Sequence, residues 1–283
     1  MRYYTPRSCE EAVAILASGQ HDVLAGGTDY YPALRDRPAT RDLIDISRID
    51  ELRTIRREGD GWRLGAVTTW SDVARANLPP LFHGLQAAAR EVGALQVQNA
   101  GTIAGNVCNA SPAADGVPPL LTLDAEVEIA SCEGRRTVPL SDFITGVRRT
   151  VMRPGELVTA ILVPHRNAAS AFLKLGARRY LVISIAMVAV LLEADGSGRV
   201  ARARIAVGAC SPIARRIKAL ESELAGQPLN GEILASVVEL RHLSVLSPID
   251  DIRADRAYRL EAATELLRRA LRAALATAGE LAA

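Results

Sequence analysis

Residues 23–29 read Val-Leu-Ala-Gly-Gly-Thr-Asp, and related chemistry returns at residues 98–106 as Gln-Asn-Ala-Gly-Thr-Ile-Ala-Gly-Asn. In the first stretch a short strand runs into small residues, and Gly26-Gly27 opens backbone conformations closed to other residue types. Successive N–H groups curled in this way form a nest for phosphate oxygens. Thr28 adds a hydroxyl donor, and Asp29 an acceptor for a sugar or polyol hydroxyl. Taken alone, a strand followed by two glycines is equally an ordinary tight turn. The second stretch repeats the pattern: Gly101, Ala104 and Gly105 permit close backbone approach, while Thr102 and Asn106 supply side-chain hydrogen bonds. A polar string, Asn109-Ala110-Ser111-Pro112-Ala113-Ala114-Asp115, prolongs it. Two such loops in one chain can hold the two phosphates of a dinucleotide. Neither contains Gly-x-Gly-x-x-Gly or Gly-x-x-x-x-Gly-Lys-Ser/Thr, which argues against those two nucleotide folds, and no Gly-x-Ser-x-Gly nucleophile elbow is present.

The chain around the loops alternates strands and helices. Ser8 and Glu11 form a capping box, followed by Val13, Ile15 and Leu16, with Gly19 at the C-terminal cap position. Strands are expected at Asp22–Leu24, Asp42–Ile46, Leu52–Arg57 and Trp62–Val67, the last two joined as a hairpin through Gly59-Asp60-Gly61. Ser71 is expected to cap a short helix, and Leu81–Val92 reads as helical. Residues 96–119 carry no clear period and are rich in Asn, Gly, Ala, Ser and Pro, as functional loops often are. Ala125–Ala130, Thr137–Val138, Leu157–Val163 and Ala171–Leu175 read as strands. The last third reads as a three-stranded sheet, with Ile183–Glu193 and Arg199–Val207 flanking a turn. Helices are expected over Ile213–Leu224, Gly231–Glu239 and Asp255–Ala278. The fold class is α+β, with a mixed sheet in the middle and a smaller helix-on-sheet unit at the end.

A chain of 283 residues with 49% hydrophobic and 23% charged residues has ample material for a core. The 34 basic and 32 acidic side chains leave a net charge of +2, which argues against a nucleic-acid partner. The pairs Arg148–Arg149, Arg178–Arg179 and Arg215–Arg216 read as solvated faces. A membrane span needs roughly 18 or more consecutive apolar residues. The longest apolar stretch, Tyr180–Leu192, is shorter and is interrupted by Ser184. No integral membrane segment is therefore expected. The first residues lack the pattern of a secretory signal, so a cytoplasmic location is expected. Cys9, Cys108, Cys132 and Cys210 and the four histidines are scattered, which argues against a metal site or iron–sulfur cluster in this chain.

Ala-Gly-Gly-Thr-Asp at 25–29, Asn-Ala-Gly-Thr-Ile-Ala-Gly-Asn at 99–106 and Ala-Ser-Pro-Ala-Ala-Asp at 110–115 together resemble the FAD-binding medium subunit of molybdenum hydroxylases. That family includes aerobic carbon monoxide dehydrogenases and bacterial xanthine dehydrogenases. Downstream, Phe-Leu-Lys-Leu-Gly-Ala-Arg-Arg at 172–179 resembles the family's lysine-bearing strand and Arg-rich turn, and the likeness spans essentially the whole chain. It implies a two-part FAD-binding domain of the vanillyl-alcohol-oxidase/PCMH type at residues 1–168, with subdomains of about 1–55 and 56–168. A small C-terminal domain of the CO dehydrogenase flavoprotein type would follow at 169–283. It further implies non-covalent FAD whose pyrophosphate is wrapped by Leu24, Ala25, Gly26, Gly27, Thr28 and Asp29. Gly101, Thr102, Ala104, Gly105 and Asn106 would contact the pyrophosphate and flavin side. Asp115 matches an acidic residue near the ribityl or adenosine part, Leu157 and Val158 match apolar residues near the adenine, and Lys174 matches a lysine close to the cofactor. The flavin ring would lie near Ile183. One departure stands out: the family's usual Thr-Ile-Gly-Gly-Asn has Ala104 at its first glycine, which is tolerated if that residue has ordinary dihedrals.

The same resemblance implies that the chain has no catalytic acid or base of its own and relays electrons. It would take them from [2Fe–2S] centres on a small subunit and pass them to NAD, oxygen or another acceptor. The molybdenum cofactor would sit on a large subunit, in a heterotrimer or a dimer of heterotrimers. Two alternatives remain open at this point. An independent FAD-dependent oxidase needs its own substrate pocket, and the residues after about 170 offer no His/Tyr/Arg constellation for one. A non-enzymatic assembly module would have a decayed flavin site, against which Thr28, Thr102, Asn106 and Asp115 stand intact.

Overall fold

The computed structural model describes residues 1–279 and divides them into two compact units, neither contiguous in the chain. The first unit comprises Met1–Val73, Leu95–Ala110 and Asp124–His165. The second comprises Ala74–Ala94, Ser111–Leu123 and the chain from Arg166 onward.

In the first unit, β1 (Tyr3–Tyr4), β2 (His21–Leu24) and β3 (Asp42–Asp45) form a parallel sheet in the order β1-β3-β2. The helix Cys9–Ala17 joins β1 to β2, which flank β3 on opposite sides. Ser8 caps it by accepting the Glu11 amide at 3.1 Å. The expected capping box is only half formed, because the Glu11 carboxylate accepts from the Arg7 amide at 2.7 Å, one residue further out. Ser18, in ordinary helical conformation, ends the helix in place of the expected Gly19. Val13 and Leu16 from this helix pack with Ile44, Ile46, Val67 and Leu157.

A second sheet in this unit contains β4 (Ile55–Glu58), β5 (Gly61–Gly65), β6 (Glu126–Ser131), β7 (Gly134–Pro139) and β10 (Leu157–Pro164). Its order is β4-β5-β10-β6-β7. Every pairing in it is antiparallel, so the mixed middle sheet expected from sequence is corrected: parallel pairing is confined to the small N-terminal sheet among the described residues. The short pair β8 (Ile144–Gly146) and β9 (Arg149–Thr150) stands apart.

Across this sheet the buried Arg63 guanidinium donates to both Glu128 oxygens, at 3.0 and 2.6 Å, and Arg135 adds a third bond at 2.7 Å. Hydrogen bonding from Arg63 leads the forces that hold the Glu128 carboxyl down at about 2, with burial opposing. Because the folded value lies below the ordinary 4.5, the stabilisation is fully present above about 4.5 and lost as pH falls through about 2. It amounts to roughly 3 kcal/mol at neutral pH. Denaturant midpoints measured against pH should therefore show Glu128→Gln well below the parent at neutral pH and converging with it in acid. A gap that does not change with pH would assign the loss to packing instead.

In the second unit, β11 (Ala169–Leu175), β12 (Ala186–Ala194), β13 (Val200–Gly208) and β14 (Arg215–Arg216) form an antiparallel sheet in chain order. The sheet thus has four strands rather than three, and the helix expected from Ile213 begins only at Lys218. Arg216 is no solvated residue: its guanidinium binds Glu221 at 2.5 and 2.7 Å and donates to the Leu121 carbonyl at 3.1 Å. The helix Arg256–Gly279 buries Ala263, Leu267, Ala270, Leu271 and Ala274, a stripe at helical spacing, in the same core as Val188, Val190 and Ile205. The helix His83–Glu91 packs on β11, with Ala88 in contact with the cluster of Phe172, Met187 and Ala189. That packing draws residues 74–94 into this unit despite their distance in sequence.

Candidate cofactor site

The first unit brings the two glycine loops into direct contact. Leu24 ends β2, its carbonyl accepting from the Ile46 amide at 2.9 Å, and the chain then leaves the sheet. Gly27 adopts φ +67°, a left-handed conformation that glycine takes without strain. Gly26 lies so close to the second loop that a Cβ there would overlap the Ala100 carbonyl. A Cβ on Gly101 would in turn lie 3.2 Å from the Thr28 hydroxyl. Small residues at 26 and 101 are therefore what lets the loops touch. None of the amides of residues 25–29 donates to a protein acceptor among the described residues. Asp29 is exposed, and it precedes the helix Tyr30–Leu34 without capping it through its side chain.

The second loop is stitched to residues 68–70. Trp70 donates its amide to the Gly101 carbonyl at 3.1 Å, and Ile103 donates to the Thr68 carbonyl at 2.9 Å. Ser71, expected as a helix cap, instead donates to Asn99 Oδ1 at 2.5 Å. The cap of the helix Trp70–Arg75 is Thr69, which exchanges bonds with Asp72 at 3.1 and 2.9 Å. Thr102 caps the helix Ile103–Asn109 by accepting from the Gly105 amide at 3.0 Å. The stretch expected to be irregular thus contains the helices Leu95–Ala100 and Ile103–Asn109 and runs into the helix Val117–Thr122. Each is shorter than two turns, too short to display a period. Ala104 lies inside the second of these helices with ordinary dihedrals, so its methyl group is accommodated and is buried. Asn106 Oδ1 is buried without a hydrogen-bond partner. Unpaired amides and a free Thr28 hydroxyl are donors suited to a diphosphate, and the orphaned Asn106 oxygen is an acceptor suited to a neighbouring hydroxyl group. The residues present fit a dinucleotide cofactor.

Leu157 and Val158 sit on β10, both buried, with Leu157 in the core formed by Val13, Ile44 and Val67. The remaining two sequence-derived residues meet in the second unit. Lys174 on β11 donates from Nζ to Asp115 Oδ2 at 2.6 Å and to the Glu91 carbonyl at 3.2 Å. A residue not singled out for the site, Ser184, donates to Asp115 Oδ1 at 2.6 Å. Burial pushes the Asp115 carboxyl above its ordinary range, against the opposing pull of the Lys174 ammonium and both hydrogen bonds. Asp115 does not cap the helix that follows it: Gly116 occupies the cap position, with no side-chain bond. Ile183 and Tyr180 are exposed on the segment joining β11 to β12.

Comparison with known proteins gives this arrangement its class. Residues 1–166 match the family model described as the FAD binding domain in molybdopterin dehydrogenase, and residues 171–274 match the CO dehydrogenase flavoprotein C-terminal domain. The chain belongs to the family of FAD-binding flavoprotein subunits of molybdenum hydroxylases. It is 32% identical over 255 residues to the nicotinate dehydrogenase FAD-subunit of Eubacterium barkeri, covering 86% of each chain. It is 33% identical over 284 residues to the carbon monoxide dehydrogenase medium chain of Hydrogenophaga pseudoflava, covering 97% of this chain and 96% of that one. A solved structure of the carbon monoxide dehydrogenase from the same organism superposes with a TM-score of 0.86 over 98% of both chains. No helix among the described residues is long and apolar enough to cross a membrane.

Proposed function

We propose that the chain is the electron-relay subunit of a molybdenum hydroxylase complex, in which bound FAD takes electrons from [2Fe–2S] centres on a small partner subunit and delivers them to NAD, oxygen or another acceptor. The observation that carries this reading is the contact between the two loops, with the amides of residues 25–29 unpaired around Gly26 and Gly27. These amides and the Thr28 hydroxyl hold the pyrophosphate. Thr102 keeps the second loop rigid through its cap, and Asn106 Oδ1 accepts a hydrogen bond from the cofactor. Asp115 and Lys174 are cofactor-contacting residues of the second unit. The chain itself supplies position and electrostatics, while the redox chemistry belongs to the flavin.

The partners are a small iron–sulfur subunit and a large molybdenum subunit, assembled as a heterotrimer or its dimer. Both relatives named above are subunits of larger enzymes by their names, and those names already differ in substrate, which accords with substrate choice residing outside this chain. The test is anaerobic addition of a reductant for the iron–sulfur partner to the purified complex, with the flavin absorbance followed in time. Stoichiometric FAD whose absorbance bleaches only when the iron–sulfur partner is present is the expected result. Absence of flavin from both the isolated chain and the complex, or bleaching indifferent to the partner, would overturn the reading.

A further inference from the structure

The apolar run Tyr180–Leu192 is broken by one hydroxyl, Ser184, only 1% exposed, and that hydroxyl is committed to a single acceptor, Asp115 Oδ1, at 2.6 Å. The other carboxylate oxygen takes Lys174 Nζ at the same distance. An ionised carboxylate has about four lone-pair sites, so with one donor on each oxygen both oxygens keep an acceptor position. The two donors come from adjacent segments. Leu175, next to Lys174, accepts the Ile185 amide at 2.7 Å, and Ile185, next to Ser184, gives its carbonyl to Arg259 Nη1 at 2.5 Å. Ile185, the residue that follows Ser184, is thereby held through both of its backbone groups.

We propose that Ser184 is a positioning residue for FAD: by donating to Asp115 Oδ1 it fixes the plane in which that carboxylate presents its remaining acceptor positions to a sugar or polyol hydroxyl of the cofactor. The inference rests on the reading of Asp115 as a cofactor-contacting residue. Without the Ser184 hydroxyl, Oδ1 is a buried acceptor lacking its partner, and the carboxylate is free to turn both oxygens toward the Lys174 ammonium. Lys174, on the neighbouring strand, is the one charged group acting on Asp115 among the described residues. Both Lys174 and Ser184 favour the ionised form against burial. Loss of the hydroxyl therefore moves the protonation of Asp115 to higher pH.

The experiment measures the FAD dissociation constant of the purified complex, by ultrafiltration against added FAD across pH, for four forms: parent, Ser184→Ala, Asp115→Asn and the double variant. Ser184→Ala is expected to weaken FAD roughly tenfold, the effect of losing one hydrogen bond to a charged group. It should also raise the pH below which affinity falls. In the Asp115→Asn background the same substitution should change affinity little, because its route of action is gone. If Ser184→Ala has no effect, or an equal effect with and without the Asp115 carboxylate, the positioning role is overturned while the Asp115 reading stands. If Asp115→Asn binds FAD as the parent does, the reading of Asp115 falls, and the proposal with it. Should the alanine variant fail to assemble, Ser184→Cys keeps the volume, replaces a strong donor by a weak one, and supplies the same comparison.

Discussion

Gly26→Ala is expected to strip FAD from the protein. A Cβ at this position overlaps the Ala100 carbonyl, and backbone cannot rotate away as the end of a long side chain can. The first loop must therefore move off the second, and the amides of residues 25–29 move with it. Each charge-assisted bond from an amide to phosphate is worth about 1.5–3 kcal/mol, so losing two weakens FAD roughly a hundredfold or more. Gly27→Ala is the graded comparison. There the new methyl group meets the Tyr31 ring at 2.8 Å, a side chain that can swing, and the φ of +67° adds strain of roughly 1–2 kcal/mol for a non-glycine residue. Flavin content of the purified complexes should fall in the order parent, Gly27→Ala, Gly26→Ala, with circular dichroism unchanged in the first two. A folded Gly26→Ala complex with full flavin content would show that loop contact is not what holds the cofactor.

The glycine loops were legible in the sequence because their information is local: small residues and short polar side chains within a few positions of one another. The hairpin through Gly59-Asp60-Gly61 was legible for the same reason, and Gly59 indeed takes positive φ in its turn. What the sequence concealed was non-local. Ser71 is as good a cap residue as Thr69, and only the presence of Asn99 within reach of Ser71 decides between them. The two-residue strand Arg215–Arg216 sits where helix propensity is unbroken, and its pairing with Ala206 and Val207 cannot be seen from its neighbours. The apolar pattern of Leu81–Val92 announces a helix without naming the sheet it covers. Assignment of residues 74–94 and 111–123 to the second unit is a tertiary fact of that kind.

The Asp115 cluster shows where legibility runs out. Asp115 and Lys174 are visible only through resemblance, for nothing in their local sequence marks either as half of a buried ion pair. Ser184 did carry a signal: it is the hydroxyl that interrupts the longest apolar run. Ser184 is buried just ahead of the buried strand β12 and must find a partner, since an unpaired buried hydroxyl costs about 1–3 kcal/mol. The sequence thus required an acceptor for Ser184 without saying that it was Asp115, 69 positions away. Arg259 carried no signal at all. It looks like one more charged residue on a helix rich in arginine, yet it is 1% exposed.

That burial makes Arg259→Met the substitution expected to destabilise the second unit most. Its guanidinium donates to the Ile185 carbonyl at 2.5 Å, the Ala209 carbonyl at 3.2 Å and Asp251 Oδ1 at 2.7 Å. It thereby ties the long C-terminal helix to the start of β12 and the end of β13. Ala209 itself holds a left-handed conformation, φ +60°, which needs such support. Methionine fills most of the volume but leaves two buried carbonyls unpaired, and loss of one partner from a buried charged network costs about 3–5 kcal/mol. The lower end is expected here, because Asp251 keeps both bonds from the Arg253 guanidinium, at 3.0 and 2.6 Å, and is not left as an isolated charge. Arg259 Nε is also buried without a partner, so its removal returns part of the loss. Arg259→Lys should rescue little, since a single ammonium cannot span both carbonyls and the carboxylate in the geometry of a planar fork. Denaturant midpoints for the two variants and for Asp251→Asn provide the check. Both Arg259 variants should fall well below the parent, and Arg259→Met combined with Asp251→Asn should fall short of the sum. Because Ile185 adjoins Ser184, the surviving folded fraction should also hold FAD more weakly. A variant that unfolds more easily yet binds FAD as tightly as the parent would separate the stability of this unit from the cofactor contacts proposed for Asp115.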